Sequence, residues 1–338
     1  VKVLILGVNG FIGYHLTKEI LSTTDWEVYG MDIDDNRIKE LENSRLHFVE
    51  GDIEINKEWI EYHIKKCDVV MPLVAIATPK MYVEDPLRVF HLDFEANLDI
   101  IKKCAKYKKR IVFPSTSEVY GISPDAEFDE DKSPLCTGPI NKERWIYSAS
   151  KQLLDRVIWA YGNHENLPFT LFRPFNWVGP KLDSIEIAKE GSSRVVTQFI
   201  ASLLFKKPIY LVDGGKQTRS FTYISDGIAA LIKILKNENN ICNKQIINIG
   251  NPKNNISIKD LAYLMRDIFS KHEKHKNDKE FSQIIEIDSK EFYGESYQDI
   301  YNRKPSIEKA KKLLNWEPTV NLEDALKLSI DAFINEYE

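Results

Sequence analysis

Residues 3–6 are an apolar run that enters Gly7-Val8-Asn9-Gly10-Phe11-Ile12-Gly13 and continues into a stretch carrying Leu16, Ile20 and Leu21. The pattern is a strand, a glycine-rich turn and an amphipathic helix, and few folds accommodate it. Gly7 permits the tight turn, Gly10 lets backbone approach a pyrophosphate, and Gly13 lets the helix pack close on the strand. The helix amino end then attracts the phosphates. The turn from Gly7 to Gly13, with Asn9, Phe11 and Ile12 between the glycines, is therefore the candidate cofactor cradle. A second strand, residues 27–31, ends in Asp32, nineteen residues past Gly13. An acid there accepts hydrogen bonds from an adenosine ribose and repels an added phosphate, so NAD is expected rather than NADP. Arg37 is the nearby cation that weighs the other way. The plainer role for Asp32 is a turn residue or cap before Asp34-Asp35-Asn36.

The alternation continues. Residues 47–53 read as a short strand ending in Asp52 and Ile53, which would face an adenine. Asp52 would equally cap the helix that carries Trp59, Ile60 and Ile64. Residues 68–74, apolar after Asp68, read as a buried strand running into small residues, Ala75-Ile76-Ala77-Thr78-Pro79, beside which a cofactor or sugar fits. Residues 90–104 have the spacing of one long helix, and strands follow at 110–113 and 169–172. This predicts an α/β fold with a Rossmann-type doubly wound parallel sheet. Beyond residue 175 the alternation loosens. The spacing predicts a polar loop at 181–192, helices at 193–206 and 256–269, a strand and turn at 210–215, and a strand at 246–250. Residues 271–280, with His272 and His275, read as a solvated loop rather than a metal site, and helices at 305–315 and 322–336 close the chain. Residues 1–175 are expected to form the NAD-binding domain. Residues 176–338 are expected to form mainly a smaller substrate-binding domain, with some segments returning to the first.

At 338 residues, with 43% apolar and 29% charged residues, the composition is that of a globular protein with a sizeable core. The net charge of -5 and the lack of a basic stripe argue against nucleic acid as partner. No apolar run reaches the ~18 residues of a membrane span, so no membrane partner is expected. Cys67, Cys104, Cys136 and Cys242 are widely spaced. Neither a metal site nor a disulfide framework is expected, and the cytoplasm is the expected compartment.

Within Ile146-Tyr147-Ser148-Ala149-Ser150-Lys151, followed by apolar residues at helical spacing, Tyr147 and Lys151 stand at i and i+4 on one helix face. An ammonium beside a phenol lowers its pKa from about 10, which would suit Tyr147 to take a proton from an alcohol near neutral pH. A surface Tyr and Lys on an amphipathic helix would show the same spacing. Upstream, the strand at 110–113 delivers Pro114-Ser115-Thr116-Ser117-Glu118-Val119-Tyr120-Gly121, hydroxyls at the strand end where open α/β sheets keep their ligands.

Gly7-x-x-Gly10-x-x-Gly13, Asp32, Thr116, Tyr147-x-x-x-Lys151 and Arg173-Pro174-x-Asn176-x-x-Gly179-Pro180 together resemble the extended short-chain dehydrogenase/reductases that act on nucleotide sugars, almost end to end. Residues 115–121 and Asn302-Arg303-Lys304-Pro305-Ser306 resemble the UDP-glucuronic acid decarboxylase branch. Asn141-Lys142-x-Arg144-Trp145-Ile146-Tyr147 and residues 152–161 are most similar to the decarboxylating dehydrogenase domains of bifunctional enzymes that make aminoarabinose for lipid A and polymyxin resistance. The resemblance implies NAD held by the glycine turn, Asp32, Asp52, Ile53, Tyr147 and Lys151. It implies UDP-glucuronate near Ala77, Tyr82, Thr116, Ser117, Arg144, Asn176, Arg194, Tyr210, Lys216, Arg219 and Tyr297. Thr116, Glu118, Tyr147, Lys151 and Arg303 would be catalytic. The product would be a UDP-4-keto-pentose, with release of CO2 and NADH. Arg303 would lie on a loop that is mobile until substrate draws it in. Where this branch carries a lysine, the chain has Tyr210. A homodimer through the helices at 82–105 and 143–164 is also implied, with sedimentation at micromolar concentration as its check. So is a formyltransferase, fused or separate. A UDP-xylose synthase that keeps its NAD, a 4-epimerase, and a non-catalytic NAD-binding regulator are the competing readings.

Overall fold

The computed structural model describes residues 1–337. Seven strands form one parallel sheet: β1 (Lys2–Leu6), β2 (Glu27–Asp32), β3 (Leu46–Glu50), β4 (Val69–Pro72), β5 (Arg110–Pro114), β6 (Phe169–Pro174) and β7 (Gln245–Ile249). Their order is β7-β6-β5-β4-β1-β2-β3, and every pairing is parallel. The chain reverses direction across the sheet between β1 and β4, which opens a crevice at the carboxyl ends of those strands.

The central strands are apolar on both faces because helices cover both. Val3, Ile5, Met71 and Val112 point into one layer, shared with Ile228 and Leu231. Leu4, Leu6, Val70 and Phe113 point into the other, shared with Ile64, Ile101 and Ile158. The strand period of two sends neighbours to opposite layers. The carboxyl half returns to this sheet, because β7 pairs with β6 in the register Ile247↔Phe172. The helix Ile224–Lys236 packs on the helix Phe11–Thr23. The rest of that half is built on small pairings. Ile209–Val212 runs parallel to Ile284–Ile287, and Thr218–Ser220 runs antiparallel to Asn255–Ser257.

Three expectations change. The helix expected at 90–104 is not uniform: Pro86–Phe90 is α-helical, His91–Ala96 is a π-helix, and Asn97–Tyr107 is α-helical again. Asn97 Nδ2 donates to the Leu92 carbonyl inside the π segment at 3.0 Å, a side-chain contact that apolar spacing does not encode. The expected loop at 181–192 contains a helical turn, Ile185–Lys189, capped by Ser184 and anchored by buried Ile185 and Ala188. The segment at 271–280 is not wholly solvated. His275 is buried and stacks on Phe269 at 4.1 Å, and His272 lies 3.4 Å from Asp331. Among the described residues no helix is long and apolar enough to cross a membrane.

Candidate active site

The glycine turn requires its glycines. Gly7 has φ +87°, and a Cβ on Gly13 would stand 2.2 Å from the Gly7 carbonyl oxygen. The turn forms one end of a cavity of about 570 Å³. Gly7, Gly10, Phe11, Ile12 and Gly13 line that end, and Ala77, Tyr82, Thr116, Ser117, Glu118, Tyr147 and Lys151 line the rest. A bare backbone cradle leading to a row of hydroxyl, phenol and ammonium groups fits a dinucleotide. A second cavity of about 160 Å³ shares Asn176, Arg194 and Arg303 with the first. It reaches Arg144, Tyr210, Arg219 and Tyr297.

Some expected cofactor residues stand beside the cradle rather than on its wall. Asp32 accepts from the backbone N–H of Asn9 at 2.8 Å and of Ile33 at 2.9 Å, and its burial pushes its pKa up. Asn9 serves the loop: its Oδ1 accepts from the backbone N–H of Arg37 and of Ile38. Arg37 itself lines the cavity. Asp52 accepts from the Glu54 N–H at 2.7 Å in a turn ahead of the helix Lys57–Lys66, and Ile53 is buried in the core. Neither lines either cavity.

Tyr147 and Lys151 both lie on the inner face of the helix Trp145–His164. The Tyr147 ring stacks on Tyr82, with centroids 4.6 Å apart and planes 7° from parallel, and its hydroxyl faces Thr116. Lys151 donates to the Pro114 carbonyl at 3.3 Å, and Asp93 Oδ1 lies 3.9 Å from its Nζ. The expectation of a lowered Tyr147 pKa does not hold for the protein alone. Burial raises it, and the Asp93 and Glu118 carboxylates add to that. Lys151 Nζ stands 6.0 Å from the phenol ring, and burial lowers the pKa of the lysine itself.

A second cluster faces this pair. Glu118 is carried on the turn Ser117–Tyr120 just beyond β5. Arg144 Nη2 lies 3.0 Å from its Oε2, and Arg303 Nη1 2.9 Å from its Oε1. All three side chains are buried. Burial opposes ionisation of Glu118, but Arg144 and Arg303 outweigh it and hold the carboxyl below its usual range. Arg303 has its pKa lowered by burial and by neighbouring Arg219 and Arg144. Its segment is seated by the Ser220 N–H, which donates to the Arg303 carbonyl. Arg219 is paired with Asp299 at 2.7 Å, and Arg144 lies over the Tyr297 ring at 5.6 Å. Arg144 Nε and Nη1 and Arg303 Nε are buried donors without an acceptor.

Other assignments diverge. Arg194 is already paired with Asp183, at 2.6 Å. Lys216 is exposed and lines neither cavity, whereas Gln217 beside it lines the smaller one. Tyr210 lines that cavity while 42% exposed. Three features have no role readable in the sequence: Asp93, Asp299, and the pairing of Asp155 with the motif residue Arg173, buried and 3.1 Å apart, in which the carboxylate also takes the Ser115 hydroxyl. An acid at i+4 from Lys151 was the available signal for Asp155. Asp93 and Asp299 have no local signal.

Comparison with known proteins gives the same architecture. The model of the NAD dependent epimerase/dehydratase family matches residues 3–250. PbgP3 protein from Burkholderia pseudomallei is 55% identical, with a TM-score of 0.89 over 98% of this chain and 96% of that one. UDP-glucuronic acid 4-epimerase from Bacillus cereus, solved with UDP-glucuronic acid and NAD, is 26% identical, with a TM-score of 0.83 over 100% of both chains. dTDP-glucose 4,6-dehydratase from Bacillus anthracis, solved with NAD, shares the fold at 21% identity and a TM-score of 0.79, over 100% of this chain and 97% of that one. The chain belongs to the NAD dependent epimerase/dehydratase family, and its cofactor is NAD.

Proposed function

We propose that the protein oxidises UDP-glucuronate at C4 with NAD and decarboxylates it, releasing CO2, NADH and a UDP-4-keto-pentose. The carrying observation is the arginine cluster that lines the smaller cavity and reaches the larger one through Arg303. Arg144, Arg219 and Arg303 face only Glu118 and Asp299, so one positive charge is in excess, and three buried guanidinium N–H groups await an acceptor. A buried donor without a partner is costly, and arginine forks suit a carboxylate or a diphosphate. The substrate named for the Bacillus cereus structure carries both.

The glycine turn, Asp32, Tyr147 and Lys151 would hold NAD. When bound, it supplies the acceptor for the hydride from C4. Tyr147, beside Thr116, takes the proton of the sugar 4-hydroxyl. The new C4 carbonyl lies β to the carboxylate, so breaking the C5–C6 bond sends its electron pair into that carbonyl and CO2 leaves. Arg303 and Arg144 stabilise the resulting C5 enolate, which Arg303, or a water it orients, protonates at C5. Glu118 keeps both arginines charged and in place, and its own carboxylate repels that of the substrate.

Incubation with UDP-glucuronate and NAD tests the reading, with the sugar product identified by mass and NMR. NADH and CO2 should appear in equal amounts. CO2 without free NADH would mean a synthase that re-reduces the ketone. Sugar inverted at C4 with no CO2 would mean a 4-epimerase, the second reading, which the Bacillus cereus similarity favours.

Asp32 carries a prediction of its own. Its carboxylate, half-buried beside the glycine turn, should make NADP a poorer oxidant than NAD by at least about tenfold. Arg37 in the cavity wall is the group that would relieve this. Equal rates of reduction of the two cofactors would reduce Asp32 to a turn residue.

A further inference from the structure

Lys151 is fully enclosed, with its Nζ above the Phe113 ring at 5.0 Å and against the Pro114 carbonyl. An ammonium so placed needs an anion, or it gives up its proton. Two carboxylates face it. Asp155 is committed to Arg173 at 3.1 Å and to the Ser115 hydroxyl at 2.7 Å. Asp93 is not so committed. Its side chain is fully buried, and its Oδ2 accepts only from the Ile76 N–H at 2.9 Å. Its Oδ1, without a hydrogen-bond partner, is the atom 3.9 Å from Lys151. Asp93 rides on the π-helical turn His91–Ala96, a distortion that recurs at functional sites.

Resting on the reading of Tyr147 and Lys151 as the proton-transfer pair, we infer that Asp93 is a positioning residue that keeps Lys151 charged and sets the pH range in which Tyr147 accepts the substrate proton. The charged groups around it are few. Asp93 faces Lys151 and, more distantly, Arg88. Lys151 faces Asp93 and Asp155. Tyr147 faces Asp93, Glu118 and Arg194, with Tyr82 and Thr116 as its uncharged neighbours. Burial holds the Asp93 carboxyl up at about 6 against the pull of Lys151, so it carries its charge above that pH. Its anion favours the protonated forms of both Lys151 and Tyr147, so removing it lowers both pKa values.

Asp93→Asn tests this, because the amide oxygen still accepts from Ile76. Both limbs of the pH profile for NAD reduction by UDP-glucuronate should move down by about one unit, as expected for loss of a charge near 4 Å. Parent and variant should converge below about pH 6, and Asp93→Glu should restore the parent profile. An optimum within about 0.2 units of the parent would leave Asp93 a purely structural residue and overturn the inference. Free of turnover, NMR of isotope-labelled lysine, with Lys151 assigned through Lys151→Arg, should show Lys151 losing its proton at lower pH in Asp93→Asn. If that variant does not fold, the parent protein decides. The Lys151 signal should respond as Asp93 titrates near pH 6, and an unresponsive signal overturns the inference. Tyr147→Phe is run beside these. An active Tyr147→Phe removes the proton-transfer reading itself, whereas an inactive one with an unmoved Asp93→Asn profile removes only the role of Asp93.

Discussion

Tyr147→Phe should reduce NAD reduction by UDP-glucuronate about a thousandfold in kcat, within the 10²–10⁴ typical of a lost general base. The phenol is the group that bridges the two halves of the site. Its ring stacks on Tyr82 and its hydroxyl reaches Thr116, while the helix that carries it also supplies Lys151. Phenylalanine keeps the ring and the stack, so the fold and the cradle around Gly7 and Gly13 are left intact. NAD affinity, followed by quenching of protein fluorescence, should change less than about tenfold, since only one hydrogen bond to the cofactor is at stake. Deletion of the hydroxyl therefore isolates proton transfer from binding. The raised pKa of Tyr147, from burial and then from Asp93 and Glu118, adds a direction. A base must be deprotonated to act, so the parent rate should climb as pH rises through neutrality. A Tyr147→Phe enzyme within about tenfold of the parent would assign the proton to another group.

Local spacing carried the parts of this architecture that are written within one element. Alternating apolar runs predict the parallel sheet because each central strand must be greasy on both faces, as Leu4 and Ile5 of β1 show by entering opposite layers. The i, i+4 spacing of Tyr147 and Lys151 puts both on one helix face whatever surrounds the helix, and both line one cavity. The effect of that enclosure was not readable. The spacing of Tyr147 and Lys151 suggests an acidified phenol, but their burial and the facing carboxylates reverse the sign. Glu118 and Arg303, 185 residues apart, touch at 2.9 Å because the segment around 303 is tied to Thr218, Ser220 and Phe128. Asp93 faces Lys151 from a π turn, and Asp299 meets Arg219 across a loop. Lys216 and Gln217 are neighbours in sequence, and only the backbone path decides which of them lines the cavity.

Arg303→Ala should slow decarboxylation more than a hundredfold, a loss of about 3 kcal/mol, as for removal of one donor to a transition-state anion. The guanidinium is buried, lines both cavities and keeps one N–H without an acceptor beside Glu118. In the proposed reaction its first task would be electrostatic, since the charge leaving the carboxylate builds up at C4 and C5 beside a buried guanidinium. Its second is proton supply. An ordinary arginine is too weak an acid, with a pKa above about 12, but here burial, Arg219 and Arg144 all lower that pKa and Glu118 opposes them. In the proposed reaction, oxidation at C4 would depend on Tyr147, Lys151 and the cradle, none of which forms a hydrogen bond or ion pair with Arg303. The variant should therefore still reduce NAD while CO2 lags, and a UDP-4-keto-hexuronate should accumulate, visible by rapid-quench mass spectrometry. Glu118 keeps its 3.0 Å contact with Arg144, so the pocket does not acquire a wholly unpaired carboxylate and the variant should fold, which thermal unfolding checks. NAD affinity should stay near that of the parent. Arg303→Lys should fall between the two, because an ammonium keeps the charge and loses the fork. If folded Arg303→Ala releases CO2 at close to the parent rate, Arg303 at most binds substrate, and the electron pair of the C5–C6 bond must be stabilised by Arg144 or by the C4 carbonyl's contacts with Tyr147 and Thr116.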